Sequence, residues 1–184
     1  MSLKELNPDT QDYFKKMAGY DTLRLVLSKK SILVEGPSDE LIVQKAYFLA
    51  KNKLPIEDGI DTISVKGLSF KRFLEIAKLL NKVVCVVTDN DSNHKTKVEK
   101  KYEDYIGVPN IKICYDKNDS LKTLEPQIVA CNDLSVLNNI FKTHIIDKQE
   151  MIDYMIDNKT ECALSIFNTI EPFNAPEYVK QSFQ

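Results

Sequence analysis

Two kinds of apolar pattern alternate along the chain. Short runs with little or no polar interruption occur at Ser31–Val34, Asp61–Val65, Val83–Val87 and Ile111–Tyr115. Between them, apolar residues recur every three or four positions. The first kind predicts strands and the second predicts amphipathic helices. A helix is expected from about Asn7 to Ser28, with Leu23, Val26 and Leu27 at helical spacing. Another is expected from Pro37 to Lys51, with Pro37 suited to its first turn. A third runs from about Ser69 to Leu80, with Phe70, Phe73, Leu74, Ala77 and Leu80 facing inward. The stretch Leu54–Gly59, holding Pro55 and Gly59, reads as a loop. From Leu121 onward the pattern is mostly helical, with breaks near Asp133, Asp147, Asn158 and Pro172.

The run Val-Val-Cys-Val-Val shows no alternation of apolar and polar residues, which predicts a strand covered on both faces. Alternating strand and helix signals imply an α/β domain. Its expected form is a mostly parallel central sheet of about four strands flanked by helices, with a helical C-terminal extension. Residues 1–22 then form a lead-in and 23–131 the α/β core. Residues 132–184 form the helical extension of the same domain.

The 184 residues are 43 % hydrophobic and 28 % charged, with 25 basic and 27 acidic residues and a net charge of −2. This balance excludes a disordered chain and a globally basic nucleic-acid coat. No apolar run is long enough to span a membrane. Two histidines, His94 and His144, are poor material for a zinc site or a Ser-His-Asp triad. The four cysteines lack C-x-x-C spacing and three sit in apolar runs, so buried reduced thiols in a cytoplasmic protein are expected. The polar N-terminus shows no signal-peptide pattern.

In an open parallel sheet, sites form at the carboxyl ends of the strands. The first strand runs into Glu35-Gly36-Pro37-Ser38-Asp39, the second into Lys66-Gly67, and the third into Asp89-Asn90-Asp91. In extended backbone, residues i and i+2 point to one side, so Asp89 and Asp91 can aim two carboxylates at one point. Carboxylates held close together call for a cation, and hard divalent ions take oxygen ligands. Asp39 could equally cap a helix N-terminus, Glu125 could start one, and Lys159 could be a solvated lysine. The cluster Lys95, Lys97, Lys100 and Lys101 is either a solvated helix face or a phosphate-backbone contact.

Together, Ile32–Asp39 (I-L-V-E-G-P-S-D), Val65–Gly67 (V-x-G) and Val86–Asp91 (V-V-T-D-N-D) resemble a Toprim domain. Lys122–Glu125 (K-T-L-E), Lys159–Ile166 (K-T-E-C-A-L-S-I) and the lead-in Leu23–Lys30 resemble the C-terminal Toprim nuclease domain of the OLD (overcoming lysogenization defect) family. The resemblance implies a Toprim fold and a divalent-metal-dependent DNA endonuclease. Two Mg²⁺ or Mn²⁺ ions would be held by Glu35, Asp39, Asp89, Asp91, Thr123 and Glu125. Glu35 and Lys159 would be catalytic, with Lys159 at the scissile phosphate. Lys66 and the lysine cluster would contact DNA. The resemblance also implies an ABC-type ATPase domain in the same full-length protein, and it leaves room for a homo-oligomer. This chain has no G-x-x-x-x-G-K-[ST] and so offers no nucleotide site of its own. A non-catalytic RecR-like assembly module is the alternative. A haloacid-dehalogenase-type phosphatase fits less well, because its D-x-D follows the first strand rather than the third.

Overall fold

The computed structural model describes residues 3–17, 19–65 and 70–184. Its centre is a sheet of four parallel strands: β1 (Lys30–Val34), β2 (Ile60–Ser64), β3 (Val83–Val87) and β4 (Ile111–Cys114). Their spatial order is β2-β1-β3-β4. Leu33 stands opposite both Ile63 and Val86, which fixes β1 between its two neighbours.

Ile32, Leu33 and Val34 are all fully buried because helices cover both faces of the sheet. Side chains of β1 alternate between the two layers. Ile32 and Val34 join one cluster with Cys85, Val87 and residues of the C-terminal helices, whereas Leu33 joins the other with Val84 and Val86. The first layer is built on α3 (Pro37–Lys51), α5 (Leu124–Cys131), α6 (Leu134–Phe141), α7 (Lys148–Asp157), α8 (Lys159–Asn168) and α9 (Glu177–Lys180). The second is built on α1 (Pro8–Met17), α2 (Tyr20–Leu27) and α4 (Phe70–Leu79).

This winding positions the site. From β1 the chain crosses through α3 to β2 on one side, then returns through α4 to β3 on the other. The order therefore reverses between β1 and β3, and a crevice opens at their carboxyl ends.

The expected N-terminal helix is two helices rather than one. Gly19 stands at φ −114°, ψ −169° and caps α2, so the helical path is broken there. Leu25 is the fully buried residue of α2, whereas Leu23 and Leu27 are 59 % and 80 % exposed. The apolar spacing thus marked the wrong face. Arg24 reaches round the edge strand to Asp61 (2.7 Å), Glu40 (3.3 Å) and the Thr62 carbonyl (2.6 Å), and this turns Leu23 and Leu27 outward. The C-terminal helices are part of the core. α8 lies along α3, and Lys45 of α3 donates to the carbonyls of Phe167 and Thr169 at its far end. No helix among the described residues is long and apolar enough to cross a membrane. All four cysteines are unpaired.

Candidate active site

Glu35 directly follows β1, and Asp89 lies one residue beyond Thr88 at the end of β3. Because these strands are neighbours, the two ends meet. Glu35 Oε1 accepts hydrogen bonds from the Thr88 hydroxyl (2.7 Å) and the Asp89 amide (3.2 Å). Asp39 sits in the first turn of α3, where its carboxylate accepts the Gly36 amide at 3.0 Å. It therefore serves as a helix-terminal cap while facing the same crevice.

The carboxylates act on one another. Burial, then Asp39, Glu35, Glu125 and Asp91 in that order, pushes the Asp89 carboxyl up to about 8. Burial and then Glu35 chiefly push Asp39 up to about 6, against the lowering effect of the Gly36 amide. An acidic cluster this short of positive charge attracts cations.

Glu125, in the first turn of α5, is buried. Its Oε1 pairs with Lys159 Nζ at 3.0 Å, while its Oε2 is enclosed with no partner. Thr123, the residue before α5, also buries an unpartnered hydroxyl. Lys159 opens α8 at a helix N-terminus, where the macrodipole disfavours a cation. Burial works against its charge, but Glu125, Asp89 and Asp39 outweigh that and raise its pKa above the ordinary value.

Asp91 departs from the expected geometry. It has φ 49° and Ser92 has φ 64°, so Asp89-Asn90-Asp91 is a left-handed turn, not extended strand. Asp91 is exposed where Asp89 is half-buried, and the i, i+2 alternation does not apply. The turn is set by Asn90. This fully buried amide donates to the carbonyls of Asp116 and Asn118 (both 3.0 Å) and Leu121 (3.3 Å), and it accepts the Ser92 amide (2.9 Å).

Lys95, Lys97, Lys100 and Lys101 are all exposed, on a single wide helical turn at Lys95–Glu99 and the turns that follow. Val98 and Tyr102 anchor the segment and are fully buried. Lys66, with Gly67, lies outside the described residues.

Sequence reasoning missed Thr88, Asn90, Tyr102 and Tyr178. Tyr178 lies buried on α9, and its phenol is pushed well up by burial and then by Asp89, Asp39, Glu35 and Glu125. A polar residue closing a wholly apolar strand was an available signal for Thr88. For Tyr178 the chain offers none.

An oxygen-only donor set suits a hard divalent ion, and the orphaned Glu125 Oε2 and Thr123 hydroxyl are free to join it. Among the described residues no three carboxylate, imidazole or thiolate groups are already drawn to coordination spacing. Ions would have to draw these oxygens inward.

Residues 26–91 match the family model described as "Overcoming lysogenization defect protein-like, TOPRIM domain". That stretch carries β1, α3, β2, α4, β3 and the Asp89–Asp91 turn. The sheet continues through β4, and the fold is similar to that of two solved structures. The C-terminal region of the Xanthomonas campestris pv. campestris OLD protein superposes with a TM-score of 0.61 at 18 % identity, covering 86 % of this chain and 92 % of that one. The C-terminal region of the Burkholderia pseudomallei OLD protein gives 0.59 at 15 % identity, covering 84 % and 95 %. No curated protein gives a sequence match. The Toprim fold expected from the motifs is thus the fold observed.

Proposed function

We propose that this domain is a divalent-metal-dependent DNA endonuclease that hydrolyses phosphodiester bonds with two metal ions. The observation that carries the reading is the convergence of Glu35, Asp39, Asp89 and Glu125, which, after burial, pushes the Asp89 carboxyl up to about 8. Structural ion pairing does not account for so much uncompensated acid at a sheet's switch point, and strongly perturbed groups in a cleft mark functional sites.

Glu35, Asp39, Asp89 and Asp91 would hold one Mg²⁺ or Mn²⁺ ion, and Thr123 with Glu125 the other. Ions bound there supply Lewis-acid stabilisation and a nucleophilic water. The chain's own residues do the rest. Glu35, fixed by Thr88 and the Asp89 amide, keeps its orientation at the strand end. Lys159 can leave Glu125 for the scissile phosphate as charge develops on it. The exposed lysines at 95, 97, 100 and 101 hold the DNA backbone beside the crevice.

Both matched structures are titled C-terminal regions, which supports placing this domain in a larger protein with an ABC-type ATPase domain. The four unpaired cysteines support a cytoplasmic setting.

Supercoiled plasmid incubated with the protein and Mg²⁺ or Mn²⁺ tests the proposal. Nicking or linearisation is expected, with loss in EDTA and in Asp89→Ala and Glu35→Ala. Cleavage that survives both substitutions overturns it.

A further inference from the structure

Five buried side-chain oxygens among the described residues have no hydrogen-bond partner, and three of them lie close together in sequence, on Thr123, Glu125 and Gln127. The first two belong to the candidate ion site. Gln127, in α5, is 2 % exposed. Its Oε1 is enclosed without a partner, a cost that a methionine of the same length would avoid. The amide is therefore explained by its other end, where Nε2 donates to the Leu121 carbonyl at 3.0 Å.

That carbonyl sits at a junction. Asn90 Nδ2 reaches it from the Asp89–Asp91 turn at 3.3 Å, and the next carbonyl, that of Lys122, accepts the Asp91 amide at 3.2 Å. Thr123 follows at once as the residue before α5, with Glu125 in the first turn of that helix. The Leu121–Lys122 peptide thus lies between two groups of candidate ligands, Asp89 and Asp91 on one side, Thr123 and Glu125 on the other. Asn90 and Asp91 grip it from the first group, and Gln127 grips it from the helix that carries the second.

We propose that Gln127 is a positioning residue that keeps the two groups of ligands in register: its bond to the Leu121 carbonyl ties α5, with Thr123 and Glu125, to the Asp89–Asp91 turn. The proposal rests on the two-ion reading above and deepens it, because an outer partner that fixes where ligands stand commonly governs metal affinity.

Gln127→Met and Gln127→Leu both remove the donor and the orphaned oxygen, while Leu121 keeps its bond from Asn90. Their melting temperatures in EDTA are therefore expected near that of wild type. Isothermal calorimetry with Mn²⁺ alone should show binding about tenfold weaker than in wild type. The deciding readout is electron paramagnetic resonance at Mn²⁺ concentrations that fill both positions. Two ions held about 4 Å apart couple magnetically, whereas ions held out of register couple weakly. Wild type should give the coupled signal and both variants a weakened one, a change that a residue merely supporting the fold would not cause. Wild-type coupling in both variants overturns the inference and leaves the metal site standing. A wild type that binds no Mn²⁺, or shows no coupled pair, overturns the two-ion reading and the inference with it.

Discussion

Lys159 Nζ lies 3.0 Å from Glu125 Oε1, and this contact joins the start of α8 to the start of α5 across the mouth of the crevice. The two ends of the pair differ. The lysine side chain is about half exposed, whereas the glutamate is buried and leaves its second oxygen unpartnered. The pair is therefore a poor stabiliser and a ready exchange site, since water or phosphate can take over the lysine while a cation takes over the glutamate.

Lys159→Ala strands Glu125 without a partner. Removing one partner of a hydrogen-bonded charge pair costs about 1–3 kcal/mol, and the exposed lysine places this case at the low end. Adding Glu125→Gln should recover most of the stability lost to Lys159→Ala, because the unpaired charge is gone. Activity should not recover: plasmid nicking is expected to fall about 100-fold or more in every variant lacking Lys159. Urea unfolding and nicking rates on the wild type, Lys159→Ala, Glu125→Gln and the double variant separate the two effects. Restored nicking in the double variant would show that Lys159 serves only to neutralise Glu125.

The raised carboxyls make the metal-free protein sensitive to pH. An unfolded aspartate titrates near 3.8, whereas Asp39 and Asp89 titrate near 6 and 8 in the fold. Between these values the native state binds more protons than the unfolded state, so stability falls as pH rises. The fall begins near pH 4, slows past 6 and ends near 8. In EDTA the melting temperature should therefore drop by several degrees from pH 5 to pH 8, after allowance for the rest of the chain. Mn²⁺ binds the ionised carboxylates and should flatten or reverse that slope. A pH dependence identical with and without Mn²⁺ would falsify ion binding at these two residues.

Asn90 is the strut of the site. Its amide holds three carbonyls of the 116–121 segment and its oxygen fixes the left-handed turn at Asp91 and Ser92. Asn90→Ala leaves three part-buried carbonyls without that partner, at about 1 kcal/mol or more. Activity should drop more than tenfold, because the turn that carries Asp91 loses its support. Differential scanning fluorimetry and hydrogen exchange over 116–122 provide the check. Unchanged exchange there would mean that the loop is held by Gln127, which also donates to the Leu121 carbonyl, at 3.0 Å.

What could be read from the chain divides along physical lines. The strands and their order of appearance were legible because a run such as Val83–Val87 has no exposed face to encode. The acidic strand ends were legible because a carboxylate after an apolar strand is costly without a purpose. Asn90 read as a spacer between two aspartates, since its partners lie 26 to 31 residues away and no local pattern announces them. Tyr102 and Tyr178 were hidden for the same reason: an aromatic ring in an amphipathic stretch looks like core, and core is where both rings lie. Leu23 and Leu27 misled because Arg24, bound to Asp61 and the Thr62 carbonyl, holds the side of α2 that faces the edge strand.

The lysine cluster makes the last prediction. Lys95, Lys97, Lys100 and Lys101 project from a turn whose packing depends on Val98 and Tyr102, so replacing all four by alanine should leave the melting temperature within about 2 °C of wild type. DNA affinity is another matter. Each phosphate neutralised by a lysine adds about 0.9 to the slope of log affinity against log salt. Anisotropy measured with a fluorescent duplex and Asp89→Ala protein, which binds without cutting, should show the slope falling by about 2–4 in the fourfold variant. The acidic crevice itself cannot supply that slope, because without ions it repels phosphate. A fourfold variant with an unchanged slope would move the DNA path to another face of the domain.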